Sequence, residues 1–309
     1  MMNVSARLPG IVAAFIAGTF ALGSSIAVAQ DLRIQHAKGE TTVPMRPKKV
    51  LAFDLASLDT LNAFGVEVAG VPTARFPEYL AKYGSDKYEK VGTMFEPDYE
   101  AVNATGPDLI IVGGRSSAKY ADLAKIAPTI DMTVDPKDYV GSFKRNVQLL
   151  AEIFDKRAEA ETHLAKFEKS MADLRREASK AGKGLLVLTT GGKMSAYGPG
   201  SRFGHLHTEF GIVPAVEGLA TTNHGQAISA EFILKTNPDW LFVIDRDAAT
   251  GQNGGAAKKV LDNDLIAQTK AWKNNQVVYL DPTNWYLIGG GLTAMQASAD
   301  QITKALGRK

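Results

Sequence analysis

Three loop arginines, one histidine and one tyrosine carry the most distinctive chemistry in this sequence. Arg115 lies in Gly113-Gly-Arg-Ser-Ser117, Arg202 follows Tyr197-Gly-Pro-Gly-Ser201, and Arg246 lies in Asp245-Arg-Asp247. Each falls in a segment that reads as a loop beyond the carboxyl end of a strand, where α/β lobes meet their ligands. A guanidinium stays charged and donates forked hydrogen bonds to planar anionic oxygens, so three converging on a cleft would hold a strongly anionic ligand. The bland reading of each is a surface or salt-bridged arginine, and Asp245 and Asp247 keep it open for Arg246. His224 lies in the turn Thr222-Asn-His-Gly-Gln226, and Tyr286 lies in Asn284-Trp-Tyr-Leu-Ile-Gly-Gly-Gly291. A phenolate oxygen and an imidazole nitrogen can both bind Fe(III). A hydrogen-bonding loop histidine and a rim aromatic would account for the same residues, and their spacing does not choose.

Other chemistries find little support. Gly198-Pro-Gly200-Ser-Arg-Phe-Gly204 resembles a dinucleotide loop, but its third glycine is one position late and Pro199 stiffens the turn. Gly191-Gly192-Lys193-Met194 lacks the first Gly and the Ser/Thr of a phosphate loop, and neither a nucleophile elbow nor a His-Glu-x-x-His pair occurs. His205 and His207 are two apart, which on a helix turns them to different faces, so they read as structural rather than metal-binding. A hydrolase using His224 and Tyr286 as acid and base is the remote enzymatic alternative; the protein is read as a non-enzyme.

The elements that would position these residues appear twice. Glu100-x6-Pro107-Asp108-Leu-Ile-Ile-Val112-x-x-Arg115 recurs as Glu231-x6-Pro238-Asp239-Trp-Leu-Phe-Val243-x-x-Arg246, every matched position being 131 residues apart. Each copy places an acid in the first turn of a helix, breaks at Pro and enters a continuous apolar run of the kind that forms a buried parallel strand. A weaker pair, Phe64-Gly65-Val66 and Phe210-Gly211-Ile212, implies about fifteen extra residues in the first half, placed in 75–93. Between the copies, 139–181 is almost free of Gly and Pro and reads as one helical span, with Leu149, Leu150, Ile153 and Phe154, then Leu164, Phe167, Met171 and Leu174, on its apolar face. The expected organisation is a lobe over 30–138, a helical connection over 139–181 and a second lobe over 182–309.

Residues 1–29 read as a secretory signal peptide: Arg7, an apolar run from Ile11 to Leu22, then Ala27-Val28-Ala29. The run is short of the ~20 residues a membrane span needs. Composition agrees with an exported globular protein. The 309 residues are 45% apolar and 22% charged, which excludes disorder. A formal charge of +2, falling to +1 without the signal, excludes a typical nucleic-acid binder. The absence of Cys removes disulfides, thiolate metal sites and any lipid-bearing cysteine, so a soluble, unanchored periplasmic protein is expected; it is read as a monomer.

The series GGRSS, a long helix, YGPGSRFG, HGQ-IS-EFIL, NPDWLFVIDR and YLDP-x-x-WYL-x-GGG resembles the periplasmic binding proteins of iron–siderophore ABC importers, most closely the catecholate (enterochelin-uptake) type. The likeness covers nearly all of 47–309. It implies a class III binding-protein fold: two Rossmann-like α/β lobes joined by one long helix, around a shallow cleft that closes little. By the resemblance, Arg115, Arg202 and Arg246 line an anionic pocket. His224 and Tyr286 complete the coordination of Fe(III) when the siderophore offers only two catecholates, and no cofactor is intrinsic. Trp285 and the 75–93 segment are where ligand choice could differ. The resemblance also implies one exposed Glu per lobe that docks on the inner-membrane permease, and Glu100 and Glu231 occupy those places. A hydroxamate siderophore or haem is the alternative cargo.

Overall fold

The computed structural model describes residues 1–3, 31–252 and 255–307. The expected signal peptide therefore lies outside the described residues, except for 1–3. A hairpin of β1 (Asp31–His36) and β2 (Gly39–Pro44) precedes the first sheet and is tied to it where Ala37 N donates to Asp131 O at 3.0 Å. That sheet contains β3 (Val50–Ala52), β4 (Gly70–Val71), β5 (Glu89–Lys90), β6 (Leu109–Val112) and β7 (Thr129–Asp131). Its order is β5-β4-β3-β6-β7 and every pairing is parallel. All four residues of β6 are buried at 0% exposure, as a strand covered on both faces must be, and each such side chain contributes roughly 1.5–3 kcal/mol of burial.

The second sheet contains β8 (Lys183–Thr190), β9 (Lys193–Tyr197), β10 (Val213–Pro214), β11 (Gln226–Ile228), β12 (Trp240–Asp245) and β13 (Val277–Tyr279). Its order is β11-β9-β8-β12-β13, with β10 also on β8. Here β8, β10, β12 and β13 pair in parallel, while at one side β9 pairs antiparallel with β8 and β11 antiparallel with β9. The Gly191-Gly192 segment, unsuited to phosphate, is the turn between β8 and β9.

The repeated sequence is a repeated structure. Helices Tyr99–Thr105 and Ala230–Thr236 start under Asp98 and Ser229, whose side chains accept from the amides of Ala101 and Phe232. Both end on a left-handed residue, Gly106 (φ 59°) and Asn237 (φ 45°), and Pro then leads into β6 and β12.

The stretch 139–181 is two helices, not the single span expected. Tyr139–Phe154 ends at Asp155, which is left-handed (φ 55°), and Arg157–Ala181 begins two residues later. The amides of Asp155 and Lys156 close back on Glu152 and Ala151, and Arg46 pairs with the Asp155 carboxylate. An apolar face that continues across the break hides it from periodicity. The 25-residue helix Arg157–Ala181 is the long element that leads into the second sheet. It packs against the last helix, Leu292–Leu306, which also contacts the helix Leu55–Ala63 of the first half.

Candidate functional site

Parallel strands deliver their following loops to one edge, and there the two sheets face a common cavity of about 350 Å³. Phe53 and Asp54 follow β3, Gly113 to Arg115 follow β6, and Met132 to Val134 follow β7. From the second half come Arg202, Phe203 and the segment Trp285–Leu287, which lies beyond β13.

The three predicted arginines converge on Tyr286. Arg115 donates to Tyr286 O at 2.6 Å and to Leu287 O at 3.4 Å, bridging the two halves. Arg202 donates to the same Tyr286 carbonyl at 2.8 Å, and Arg246 Nε donates to the Tyr286 hydroxyl at 2.9 Å. Their guanidinium carbons stand 5.0, 4.6 and 5.7 Å from the Tyr286 ring centre. Local backbone makes this possible. Thr283–Leu287 is a turn of π-helix, and the Tyr286 carbonyl serves two side-chain donors there instead of continuing a helical ladder.

The charges are not neutralised. Among the described residues no ion pair involves Arg115, Arg202 or Arg246. The two aspartates beside Arg246 serve backbone amides instead. Asp245 accepts from Ala248 and Ala257, and Asp247 accepts from Gly191. Burial and the neighbouring Arg202 charge pull the Arg115 pKa down. Burial pushes the Tyr286 phenol up, but the Arg246 hydrogen bond and the three guanidinium charges outweigh it, so the phenol ionises below its ordinary range.

That direction has a spectroscopic consequence. Tyr79, Tyr83 and Tyr139 are all pushed up, chiefly by burial. In an alkaline titration followed by tyrosinate absorbance, Tyr286 ionises ahead of these three, and Tyr286→Phe removes the earliest part of the curve. Superimposable early limbs would contradict the arrangement.

Other predicted residues are placed differently. Trp285 is a wall residue at 3% exposure, stacked on His205 with ring centres 4.8 Å apart, and His205 in turn stacks on Tyr139 at 4.0 Å. Burial and nearby His207 push the His205 pKa down to about 3, so this stack adds no positive charge at neutral pH. His207 is buried and bonded to Ile212 O at 2.9 Å. His224 is exposed in its turn; its neighbour Asn223 lines the cavity and His224 does not. Arg246 touches the cavity's Tyr286 rather than lining the cavity itself. Glu100 and Glu231 are exposed on the equivalent helices. Among the described residues no group of three or more His, Asp or Glu side chains is arranged to hold a metal.

Sequence reasoning missed the support beneath Arg115. Asp131, at the end of β7, accepts from Ser117 Oγ and Thr133 Oγ1, both at 2.5 Å, and Thr133 Oγ1 accepts from Gly114 N at 2.9 Å. It also missed Asp54, Met94 and Phe95 as lining residues. Only the position of Asp54, just past a strand end, was available as a signal.

A family model described as periplasmic binding protein matches residues 50–283. The chain belongs to this family. Periplasmic binding proteins similar to it include the petrobactin-binding protein YclQ of Bacillus subtilis, 43% identical over 90% of this chain and 89% of that protein. The crystal structure of YclQ superposes with a TM-score of 0.87, covering 91% of this chain and all of that one. The ferric-anguibactin-binding protein FatB of Vibrio anguillarum is 32% identical over 88% of this chain and 86% of its own length. The structure of the catecholate-siderophore-binding protein VctP of Vibrio cholerae is 31% identical, with a TM-score of 0.85 over 91% of this chain and 100% of that one. The class III fold is that of the family, whose members bind substrates for import and are not enzymes. The structure of the siderophore-binding protein BauB, 29% identical with a TM-score of 0.82 over 90% of this chain and 99% of that one, holds a complex between two molecules of acinetobactin and ferric iron.

Proposed function

We propose that the protein captures a ferric catecholate siderophore in the cavity beside Tyr286 and delivers it to an inner-membrane permease. One observation carries the reading: three guanidinium groups without carboxylate partners gather on a single tyrosine at the meeting of both halves. Gathering like charges is costly unless a counter-charge arrives, and an anionic iron chelate supplies it. A tris-catecholate complex is strongly anionic and satisfies the arginines alone. A bis-catecholate complex leaves iron positions open to protein donors. Tyr286, with its phenol eased toward ionisation, is the donor that the cavity offers. His224 would join it only if its exposed turn swings inward.

The reading extends to the protein's life in the cell. The N-terminal signal would export it to the periplasm as a soluble monomer; no helix among the described residues is long and apolar enough to cross a membrane. Glu100 and Glu231, on equivalent helices, would dock on the permease.

Tryptophan fluorescence of the purified protein tests the cargo, since Trp285 forms part of the wall. Ferric bis- and tris-catecholates are expected to quench it at lower concentration than a ferric hydroxamate or haem; the reverse order would sink the reading. The double variant Glu100→Gln/Glu231→Gln is expected to leave these titrations unchanged while cutting cellular uptake severalfold. Unchanged uptake would remove the docking assignment.

A further inference from the structure

We infer that Phe95 is an aromatic platform at the mouth of the cavity, against which a flat ring of the cargo packs. The inference rests on the catecholate reading above and names a residue for the apolar side of recognition. Among the described residues, the large apolar side chains left exposed are Met1, Met2, Tyr79, Phe95, Tyr99 and Val213. Of these only Phe95, at 55% exposure, lines the cavity that holds Arg115, Arg202 and Tyr286.

The segment that presents Phe95 is built to hold it out. Gly92 and Pro97 bridge across its base, and Thr93 N donates to Glu96 O at 2.8 Å. Thr93 Oγ1 accepts from the amides of Phe95 and Glu96 at 3.2 and 3.0 Å. Gly92 stands at φ +102°, and a Cβ there would lie 2.4 Å from Asp98 N, so the tight base requires glycine. Glu96 pairs with Lys119 at 2.7 Å, linking the segment to the chain just beyond Arg115. Met94 packs partly buried against the core beside it. A segment held at its base, its tip and its flank cannot readily fold Phe95 into the core. The ring stays exposed at a cost in hydration that a ligand face would recover.

The chemistry on the two sides is complementary. The oxygens of a catecholate face iron and the guanidinium groups, whereas its ring face is apolar and gains from an aromatic neighbour in offset or edge contact. The arginines supply charge recognition, and Phe95 supplies ring recognition.

The test measures dissociation constants for a ferric bis-catecholate with wild type, Phe95→Ala, Phe95→Leu and Phe95→Trp. Because Phe95 is exposed, all four are expected to melt at similar temperatures. Phe95→Ala should weaken binding about tenfold, with Phe95→Trp within about twofold of wild type and Phe95→Leu between them. The new indole of Phe95→Trp should show added quenching on binding. Wild-type affinity in Phe95→Ala, or full affinity in Phe95→Leu, would overturn the platform while leaving the catecholate reading intact. A wild type that binds no ferric catecholate would overturn both, and that failure is seen before any variant is made.

Discussion

Replacing Arg202 with Met is expected to weaken binding of a ferric bis-catecholate by about 10–100-fold, the loss that accompanies removal of one charge-assisted contact of roughly 1.5–3 kcal/mol. The side chain donates to Tyr286 O and lies 4.8 Å over Phe203 as well as 4.6 Å over Tyr286, so its charge is held at the cavity wall before any ligand arrives. Pre-organisation of that kind turns a surface charge into an affinity determinant, because little side-chain freedom remains to be lost on binding. Arg202→Lys should recover only part of the loss, since an ammonium cannot donate to the carbonyl and the ligand as a fork does. Arg115→Met should be at least as damaging, because it also breaks the hydrogen bonds joining the two halves. The two effects should not add: both side chains share the Tyr286 carbonyl, and loss of one leaves the other free to strengthen its bond. Binding titrations of the singles and the double at two salt concentrations check this. Wild-type affinity in Arg202→Met would refute the role assigned to the trio.

Much of this site was legible in the chain because it is written in local code. The caps Asp98 and Ser229, the breaks at Pro107 and Pro238 and the apolar runs that follow are short-range instructions, and they place Arg115 and Arg246 at equivalent strand ends without knowledge of the tertiary fold. What was illegible depends on contacts between distant segments. The break at Asp155 has no glycine or proline to announce it and is held by local amide closure together with Arg46, more than a hundred residues earlier. The burial of Trp285 depends on a ring stack with His205 and Tyr139, which no spacing encodes. Phe95 lies just past the 75–93 insertion to which ligand choice was ascribed, and an exposed phenylalanine in sequence looks like any other. The approach of two arginines to the Tyr286 carbonyl, with a third on its hydroxyl, required the π-turn at 283–287, a backbone feature without a sequence mark.

The largest effect on stability is expected at Asp59, where a buried carboxyl joins the first half of the chain to its last helix. Asp59 is fully buried, and its Oδ2 accepts from Ala294 N at 3.0 Å while neighbouring Thr60 Oγ1 accepts from Leu292 N at 3.3 Å. These bonds satisfy the start of the helix Leu292–Leu306, whose own cap residue, Gly291, has no side chain to do so. Gly291 is required there, since a Cβ would lie 2.3 Å from Asp59 Oδ2. The other carboxyl oxygen, Oδ1, is buried without a partner. Burial therefore pushes the Asp59 pKa up to about 6, against the opposing pull of the Ala294 and Thr293 hydrogen bonds. The sign follows from proton binding. A folded state with the higher pKa holds the proton more tightly than the unfolded chain, so stability falls as pH rises from about 4 to about 6 and is level above that. The span amounts to roughly 3 kcal/mol at ~1.4 kcal/mol per pKa unit. Asp59→Asn, which keeps an oxygen for the Ala294 amide but cannot ionise, should abolish this component. Urea unfolding of wild type and Asp59→Asn from pH 4.5 to 7.5 should give curves that diverge by about 2 kcal/mol, the part of the span left above pH 4.5, with wild type losing ground as pH rises. Asp59→Ala should be less stable than Asp59→Asn by about 1–2 kcal/mol at every pH, because it deprives the helix of its cap. Parallel curves for wild type and Asp59→Asn would show that the buried acid is already solvated in the folded protein, and the electrostatic account of this joint would fail.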